Sequence, residues 1–187
     1  MTAVRYRRLR HSGARRQEFT DAVAGARNGN EEDFRTLYRT LHPALLGYLT
    51  ARLGSSEAAE EAASAVWREI ANGVFSFHGD GTDFRIWAAS LTRRQTAHCP
   101  RPDRADAHAG SPDDVWRPLS ALPPDLADAL LLRQVVGLDD TAAAQVLSTT
   151  AESVQAASQR ARWLVADCLA SRPTPGDPRT EWACTWC

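Results

Sequence analysis

Residues 139–162 read DDTAAAQVLSTTAESVQAASQRAR, and this stretch decides the fold of the C-terminal half of the chain. It predicts a short helix over Asp139–Leu147, a turn at Ser148-Thr149-Thr150 and a longer helix over Ala151–Leu169. An apolar helical pattern over Asp125–Val136 precedes it, so the three segments together indicate a helix-turn-helix unit. In such a unit the last helix can lie in the major groove of DNA.

The N-terminal half also carries helical patterns. Apolar residues recur at i, i+3 and i+4 spacing over 34–53, and Pro43 inside this run predicts a kink or a break into two pieces. An alanine-rich helix follows from a cap at Ser55 or Ser56, and a third helix extends over about 82–98. No segment has a convincing strand pattern. We therefore predict an all-α protein.

Proline, glycine and charge patterns divide the chain into two small helical domains joined by a proline-rich linker. The predicted segments are an arginine-rich N-terminal arm (1–30), a helical domain (31–99), the linker (100–118), a helix-turn-helix domain (119–171) and a proline-spaced tail rich in cysteine and tryptophan (172–187).

Charge is distributed unevenly along the 187 residues. The chain has 22 basic residues, all of them arginine, and 23 acidic residues. Residues 1–30 hold seven arginines and two acidic residues, a net charge of +5, whereas the two predicted domains are net acidic. Such an arm is usually a solvated tail, and the alternative is a contact arm for nucleic acid or another polyanion.

Composition also limits the class of protein. No apolar run approaches the ~18 residues of a membrane span. Four cysteines in a chain of this length do not form a disulfide scaffold, so we expect a cytoplasmic chain with reduced thiols. No catalytic triad order or phosphate-binding glycine loop is present, which predicts a protein that is not an enzyme and needs no cofactor. Four of the five histidines are scattered along the chain without metal-ligand spacing: His42, His78, His98 and His108. We expect three tryptophans to lie in the core: Trp67, Trp87 and Trp163.

Several motifs carry a resemblance to a known family. Leu122-Pro123-Pro124, Leu130-Leu131-Leu132-Arg133, Gly137-Leu138 and Arg160-Ala161-Arg162 form a gapless series that resembles region 4 of the extracytoplasmic-function (group 4) sigma factors. These are small two-domain initiation factors of bacterial RNA polymerase. The helices over 34–53 and 56–68 resemble their region 2. Phe77-His78-Gly79, with Phe84-Arg85-Ile86-Trp87, resembles the segment that reads and melts the −10 element.

The resemblance implies binding to the RNA polymerase core and to promoter DNA, with an anti-sigma factor as a further candidate partner and no membrane association. The implied polymerase contacts are Glu60, Glu61 and Arg68. The implied −10 contacts are Arg85, Trp87, Arg93 and Arg94. The implied −35 contacts are Ser153, Gln155, Gln159, Arg160 and Arg162.

Some contact positions depart from the family pattern. Ser64 and Ala65 replace a usual Gln-Glu pair, and Ser148 replaces a turn glycine. The recognition helix has Glu152 and loses two cationic positions, so its intrinsic affinity for phosphates should be low. This helix could then be only a packed structural element. The alternative function is a degenerate sigma-like binding protein that does not initiate transcription.

The C-terminal peptide is not part of the sigma pattern. Its distinctive residues are Trp182, Cys184, Trp186 and Cys187. It is interpreted as a variable terminus, as a thiol sensor or half of a metal site, or as a modified peptide that the helical body carries as a leader. Zinc prefers four ligands, so Cys184 and Cys187 would need Cys168 or a partner chain to complete such a site.

Overall fold

The computed structural model describes residues 2–98, 119 and 122–170, with side chains described for 14–97, 119 and 122–170. These residues form seven α-helices and one 3₁₀ turn (Val74–Ser76) and include no strand, so the all-α prediction is confirmed. The helices are α1 (Thr2–Arg27), α2 (Glu31–Leu53), α3 (Ser56–Gly73), α4 (Gly81–His98), α5 (Pro124–Gln134), α6 (Asp140–Leu147) and α7 (Ala151–Ala170). The predicted linker and tail lie outside the described residues. None of the described helices is long and apolar enough to span a bilayer.

Polar caps explain where several helices begin. The side chain of Asn30 accepts hydrogen bonds from the first turn of α2, Ser55 accepts one from Ala58 N, and Asp139 accepts one from Ala142 N. Each cap satisfies a backbone N–H that has no partner within its helix. Helix α2 continues through Pro43. Of the two predicted outcomes, a kink or a break into two pieces, the break is therefore wrong. Residues on both sides of the proline are buried and hold both halves of α2 against the core.

Helix α1 corrects the prediction of a separate N-terminal arm over residues 1–30. Its residues Phe19, Ala22, Val23 and Ala26 are at most 3% exposed and pack against the rest of the N-terminal domain. Their i, i+3, i+4, i+7 spacing forms an apolar stripe, whose burial fixes this part of the helix despite its arginine content. A side chain on Gly81 would collide with α1, since its Cβ would lie 2.7 Å from Thr20 Oγ1.

The hydrophobic core is continuous between the two halves of the chain. One cluster of buried residues includes Leu45 and Phe84 from the first half and Leu131, Leu132 and Val136 from the second. Helix α4 contacts α6, and α2 contacts α5. The helix-turn-helix unit is therefore docked on the N-terminal domain. The domain boundaries at the linker and the tail stay predictions.

Arg133 connects the three helices of the helix-turn-helix unit. From α5, its Nη1 donates to Ser158 Oγ on α7 at 3.2 Å and its Nη2 donates to Asp140 Oδ2 on α6 at 3.3 Å. The turn before α7 places Ser148 in the left-handed region, with φ of 54° and ψ of 46°. An L side chain is strained in this conformation.

The predicted core tryptophans have different outcomes. Trp67 is 7% exposed and packs edge-on against Phe34, so its prediction is confirmed. Trp87 is half-buried. The prediction for Trp163 is wrong, because it is 66% exposed. The fully buried residues of α7 form one stripe, Val154, Ser158 and Ala161. Trp163 lies outside this stripe.

Candidate polymerase and nucleic-acid interfaces

Helix α3 exposes the residues expected to contact polymerase. Glu60, Glu61 and Arg68 are solvent-exposed, whereas Val66 and Ile70 on the other side of the helix are fully buried. The strong amphipathicity of α3 follows from the alternation of alanine with charged residues. The three polar side chains are thus available to a partner, and their role in binding polymerase stays a prediction.

Helix α7 likewise exposes the residues expected to contact the −35 element. These are Ser153, Gln155, Gln159, Arg160 and Arg162, all of them exposed. They lie outside the buried stripe formed by Val154, Ser158 and Ala161. Ser153 also contributes to the turn, because its backbone N–H donates to Thr150 Oγ1 at 3.2 Å. The first residues of the exposed side include Glu152, which lowers the positive potential that DNA would meet.

Helix α4 presents a different situation, since the residues expected to contact the −10 element already have partners within the chain. The guanidinium of Arg85 lies 4.3 Å from the centre of the Phe19 ring on α1, a cation–π geometry. Burial lowers the pKa of Arg85 from its ordinary value. Trp87 is stacked on Phe77 with ring centroids 5.2 Å apart. An unpaired base would have to displace or extend this stack.

The next two arginines of α4 form ion pairs. Arg94 pairs with Glu69 on the neighbouring helix α3. Arg93 Nε lies 3.3 Å from Asp128 Oδ2, which belongs to the helix-turn-helix unit. The structure therefore brings a predicted −10 contact together with the second domain, an arrangement that sequence patterns did not indicate.

Asp128 is the centre of a polar cluster that sequence reasoning missed. It is 4% exposed and lies between α2 and α4. The hydroxyl of Tyr48 donates to Asp128 Oδ1 at 2.7 Å, and Arg52 Nε lies 2.8 Å from the same oxygen. The contact between Arg52 and Asp128 is an ion pair. Burial, and then the charge of Asp128, raise the pKa of Tyr48 well above its ordinary value, which keeps the hydroxyl as a donor.

A cleft of about 970 Å³ lies between α1, the start of α4 and the joint of α5 and α6. Three arginines line it: Arg15, Arg16 and Arg85. Its opposite wall belongs to the helix-turn-helix unit and includes Leu138 and Asp139. The concentration of guanidinium groups would favour an anionic ligand, although the carboxylates of Asp80 and Asp139 at its edge oppose this preference.

Metal ligation finds no support in the part of the chain that the structure describes. Within those ranges no group of three or more His, Cys, Asp or Glu residues is placed to hold a metal ion. Cys168 is a free thiol and exposed. The tail candidates Trp182, Cys184, Trp186 and Cys187 lie outside the described residues, so the predictions for a metal, thiol or modification site there stay predictions.

Comparison with known proteins gives a match for part of the N-terminal domain. Sigma-70 region 2 matches residues 37–98. Among solved structures, that of CnrH in complex with the cytosolic domain of CnrY gives a TM-score of 0.68 at 19% identity, covering 83% of this chain and 99% of that chain. BldN from the RsbN–BldN complex gives a TM-score of 0.38 at 23% identity, covering 78% and 98%. No curated protein sequence matches the chain.

The match to region 2 includes α3, α4 and most of α2, which are the helices that the sequence resemblance assigned to that region. The similarity to CnrH extends over both halves of the present fold. The predicted resemblance is thus confirmed. Residues 37–98 match sigma-70 region 2, and the chain as a whole has a fold similar to that of CnrH.

Proposed function

We propose that this chain is a sigma factor that directs the bacterial RNA polymerase core to specific promoters. The observation that carries this proposal is the order of its parts: a sigma-70 region 2 domain is followed by a helix-turn-helix unit whose polar recognition residues are exposed. Polymerase performs the chemistry, so the chain itself is not an enzyme. Such a factor works in the cytoplasm, where polymerase and promoters are.

Each proposed contact has a surface that supports it. The exposed side of α3, with Glu60, Glu61 and Arg68, would bind the polymerase core. The −10 element would be met by α4 and the −35 element by α7. The basic cleft would receive DNA phosphates on Arg15, Arg16 and Arg85, since guanidinium groups bind phosphate strongly. Low intrinsic affinity of α7 for DNA is compatible with this role, because attachment to polymerase raises the effective concentration of promoter DNA.

The regulatory partner that fits this fold is an anti-sigma factor. CnrH was solved in complex with the cytosolic domain of CnrY, which supports the proposal that a similar partner binds this chain. An anti-sigma factor would insert between the two domains and separate the surfaces that contact polymerase and DNA.

Run-off transcription tests the proposal. Purified chain is added to core polymerase from the same host, with fragmented host DNA as template, and promoter-dependent products are sequenced. We expect discrete start sites that are absent with core polymerase alone. Absence of any promoter-dependent product from a folded protein, with no anti-sigma factor present, would contradict initiation.

Charge reversal on α3 tests the polymerase contact separately. Arg68→Glu should abolish capture of the core polymerase, because the contact becomes repulsive. Arg39→Glu is the matched control: Arg39 is also an exposed helical arginine, and its ion pair with Glu32 is on the surface and contributes little to stability. Equal capture by both variants would show that Arg68 is not part of the polymerase contact.

The second candidate is a sigma-like binding protein that does not initiate transcription. The observations that favour it are Glu152 at the start of α7 and the internal partners of Arg85, Arg93 and Arg94 on α4. Capture of polymerase without a promoter-dependent product would support it. The intact mass of the protein from its host would reveal whether the Cys184–Cys187 tail carries a modification.

A further inference from the structure

The polar cluster around Asp128 joins the two domains at one buried point. Asp128 lies on α5, and its neighbours Ala127 and Ala129 are each 1% exposed, so the carboxylate enters an apolar interface. Its three partners all belong to the region 2 domain: Tyr48 and Arg52 on α2, and Arg93 on α4. Both carboxylate oxygens are used. The cluster is therefore specific to the docked arrangement of the domains.

Physical chemistry restricts what such a cluster does. A buried carboxylate is unfavourable unless ion pairs and hydrogen bonds compensate its desolvation. Asp128 is compensated only while Tyr48, Arg52 and Arg93 surround it. A buried ion pair of this kind adds little net stability, and its best-attested effect is to specify one arrangement over others. The cluster thus selects this docking of the helix-turn-helix unit.

The same cluster occupies a residue that the proposed function needs. Arg93 is an expected contact to the −10 element, where it would meet a phosphate or a base edge. A guanidinium binds carboxylate and phosphate through the same N–H donors. While Arg93 is paired with Asp128, DNA must compete with an anion that belongs to the chain itself.

Docking also restricts access to the start of α4. The helix-turn-helix unit forms one wall of the basic cleft through Gly137, Leu138 and Asp139. The opposite wall carries Arg85. Separation of the domains would remove that wall and leave the cleft open on one side. The same docking therefore limits the access of DNA to two of the expected −10 contacts, Arg85 and Arg93.

We propose that the docked arrangement is a closed, autoinhibited state in which Asp128 fastens the helix-turn-helix unit to α2 and α4 and withholds Arg93 from DNA. The role given to Arg93 rests on the proposed function. The fastening of the two domains by Asp128 does not depend on it. Opening breaks the Asp128 cluster and exposes α4 to the promoter. An open state that holds a minor share of the population is sufficient for DNA to select it.

Removal of the Asp128 charge should open the chain rather than unfold it. In the docked state Asp128→Asn leaves Arg52, whose side chain is 13% exposed, without its counter-charge. Undocking returns this guanidinium to water and exposes the part of the apolar cluster that both domains share, whereas the contacts between α5 and α7 within the helix-turn-helix unit remain. Asp125→Asn is the matched control, because Asp125 is an exposed carboxylate on the same helix.

The distance between the domains is measured by fluorescence energy transfer in the full-length chain. Cys168 on α7 is exposed and takes one dye, and N72C at the exposed end of α3 takes the other, with the remaining three cysteines changed to serine. We expect efficient transfer in this background and with Asp125→Asn, and a clear loss of transfer with Asp128→Asn. Arg52→Gln should act like Asp128→Asn, whereas Arg35→Gln, an exposed arginine on the same helix, should not.

DNA binding is measured on the same proteins with a fluorescent, mixed-sequence single-stranded DNA. If the open state is populated at about 10% in the parent chain, full opening should tighten binding about tenfold. Adding Arg93→Gln to Asp128→Asn should remove that gain. Circular dichroism verifies that each variant keeps its helices, and Arg52→Gln carries the test if Asp128→Asn does not fold.

The outcomes separate the two proposals. Unchanged energy transfer in folded Asp128→Asn and Arg52→Gln would overturn the closed state. Loss of transfer together with tighter DNA binding would support both proposals. Loss of transfer without tighter DNA binding would support the fastening by Asp128 and would contradict the role of Arg93 in binding DNA.

Discussion

Helices α4 and α7 carry the two sets of residues expected to contact promoter DNA, and the two sets differ in whether they have partners within the chain. On α7 the expected contact residues are exposed to solvent: Ser153, Gln155, Gln159, Arg160 and Arg162. On α4 the three arginines are held by Phe19, by Asp128 and by Glu69. The difference teaches that exposure of a recognition surface cannot be inferred from the residues of its own helix. The partners of α4 come from α1, α3 and α5.

The largest expected effect on the free energy of unfolding comes from removing a buried aromatic side chain of α4. Phe84 is fully buried and contacts Phe19, Phe77 and Trp87. Phe84→Ala should lower the free energy of unfolding by about 3–5 kcal/mol, because it removes apolar contacts and leaves a cavity. Urea denaturation measures the change. Phe75→Ala is the matched control: Phe75 is 65% exposed, so its effect should stay within about 0.5 kcal/mol.

A smaller effect is expected on the side of α7. Arg133→Ala removes the hydrogen bonds that join α5 to α6 and α7, and should lower the free energy of unfolding by about 2 kcal/mol. The exposed Arg162→Ala should leave it unchanged. If both variants are equally stable in urea denaturation, Arg133 does not hold α7 in place.

The dependence of folding stability on pH tests the role of Tyr48, which donates a hydrogen bond to Asp128 in the cluster that binds Arg93 of α4. In the unfolded chain a tyrosine loses its proton near pH 10, whereas burial keeps the pKa of Tyr48 above that value in the folded chain. Above pH 10 the unfolded state therefore binds fewer protons than the folded state, and stability falls as pH rises. The slope should approach about 1.4 kcal/mol per pH unit. Urea denaturation between pH 9 and pH 11.5 measures it.

Tyr48→Phe is the control for this pH dependence. It lacks the titrating hydroxyl, so the same experiment should give a shallower decline above pH 10. Equal slopes for the two proteins would mean that Tyr48 is ionised as easily in the folded chain as in the unfolded one.

The smallest effect concerns the turn that leads into α7. Ser148 has a φ of 54°, a region that disfavours an L side chain by roughly 1–2 kcal/mol, part of which glycine loses again in unfolded-chain entropy. Ser148→Gly should therefore stabilise the chain by about 0.5–1 kcal/mol in thermal denaturation. The same change at Ser56, in the first turn of α3, should not stabilise it. A loss of stability on Ser148→Gly would argue against the left-handed turn.

Sequence patterns predicted the helices well where local signals agree. The apolar spacing and the cap at Ser55 or Ser56 placed the helices, and the family resemblance placed the exposed polar residues of α3 and α7. The docking of α1 also has a sequence signal, the spacing of Phe19, Ala22, Val23 and Ala26. The high arginine content of the segment favoured the prediction of an arm instead.

The partners of the α4 arginines could not be predicted in the same way. Asp128 lies at a helix position that reads as an ordinary polar residue beside apolar neighbours. Its burial depends on how two domains meet, and Tyr48 precedes it by 80 residues in the chain. The exposure of Trp163 is a similar case, because size and hydrophobicity favoured burial but no neighbouring element covers that side of α7 among the described residues.

Single-round run-off transcription with the host core polymerase, comparing the parent chain with Asp128→Asn at limiting protein concentration, tests the central claim most directly. The claim is that the chain is an initiating sigma factor whose α4 surface is closed by its own helix-turn-helix unit. We predict promoter-dependent product from both proteins, with several-fold more from Asp128→Asn. No product from either folded protein, or equal product from both, would contradict the claim.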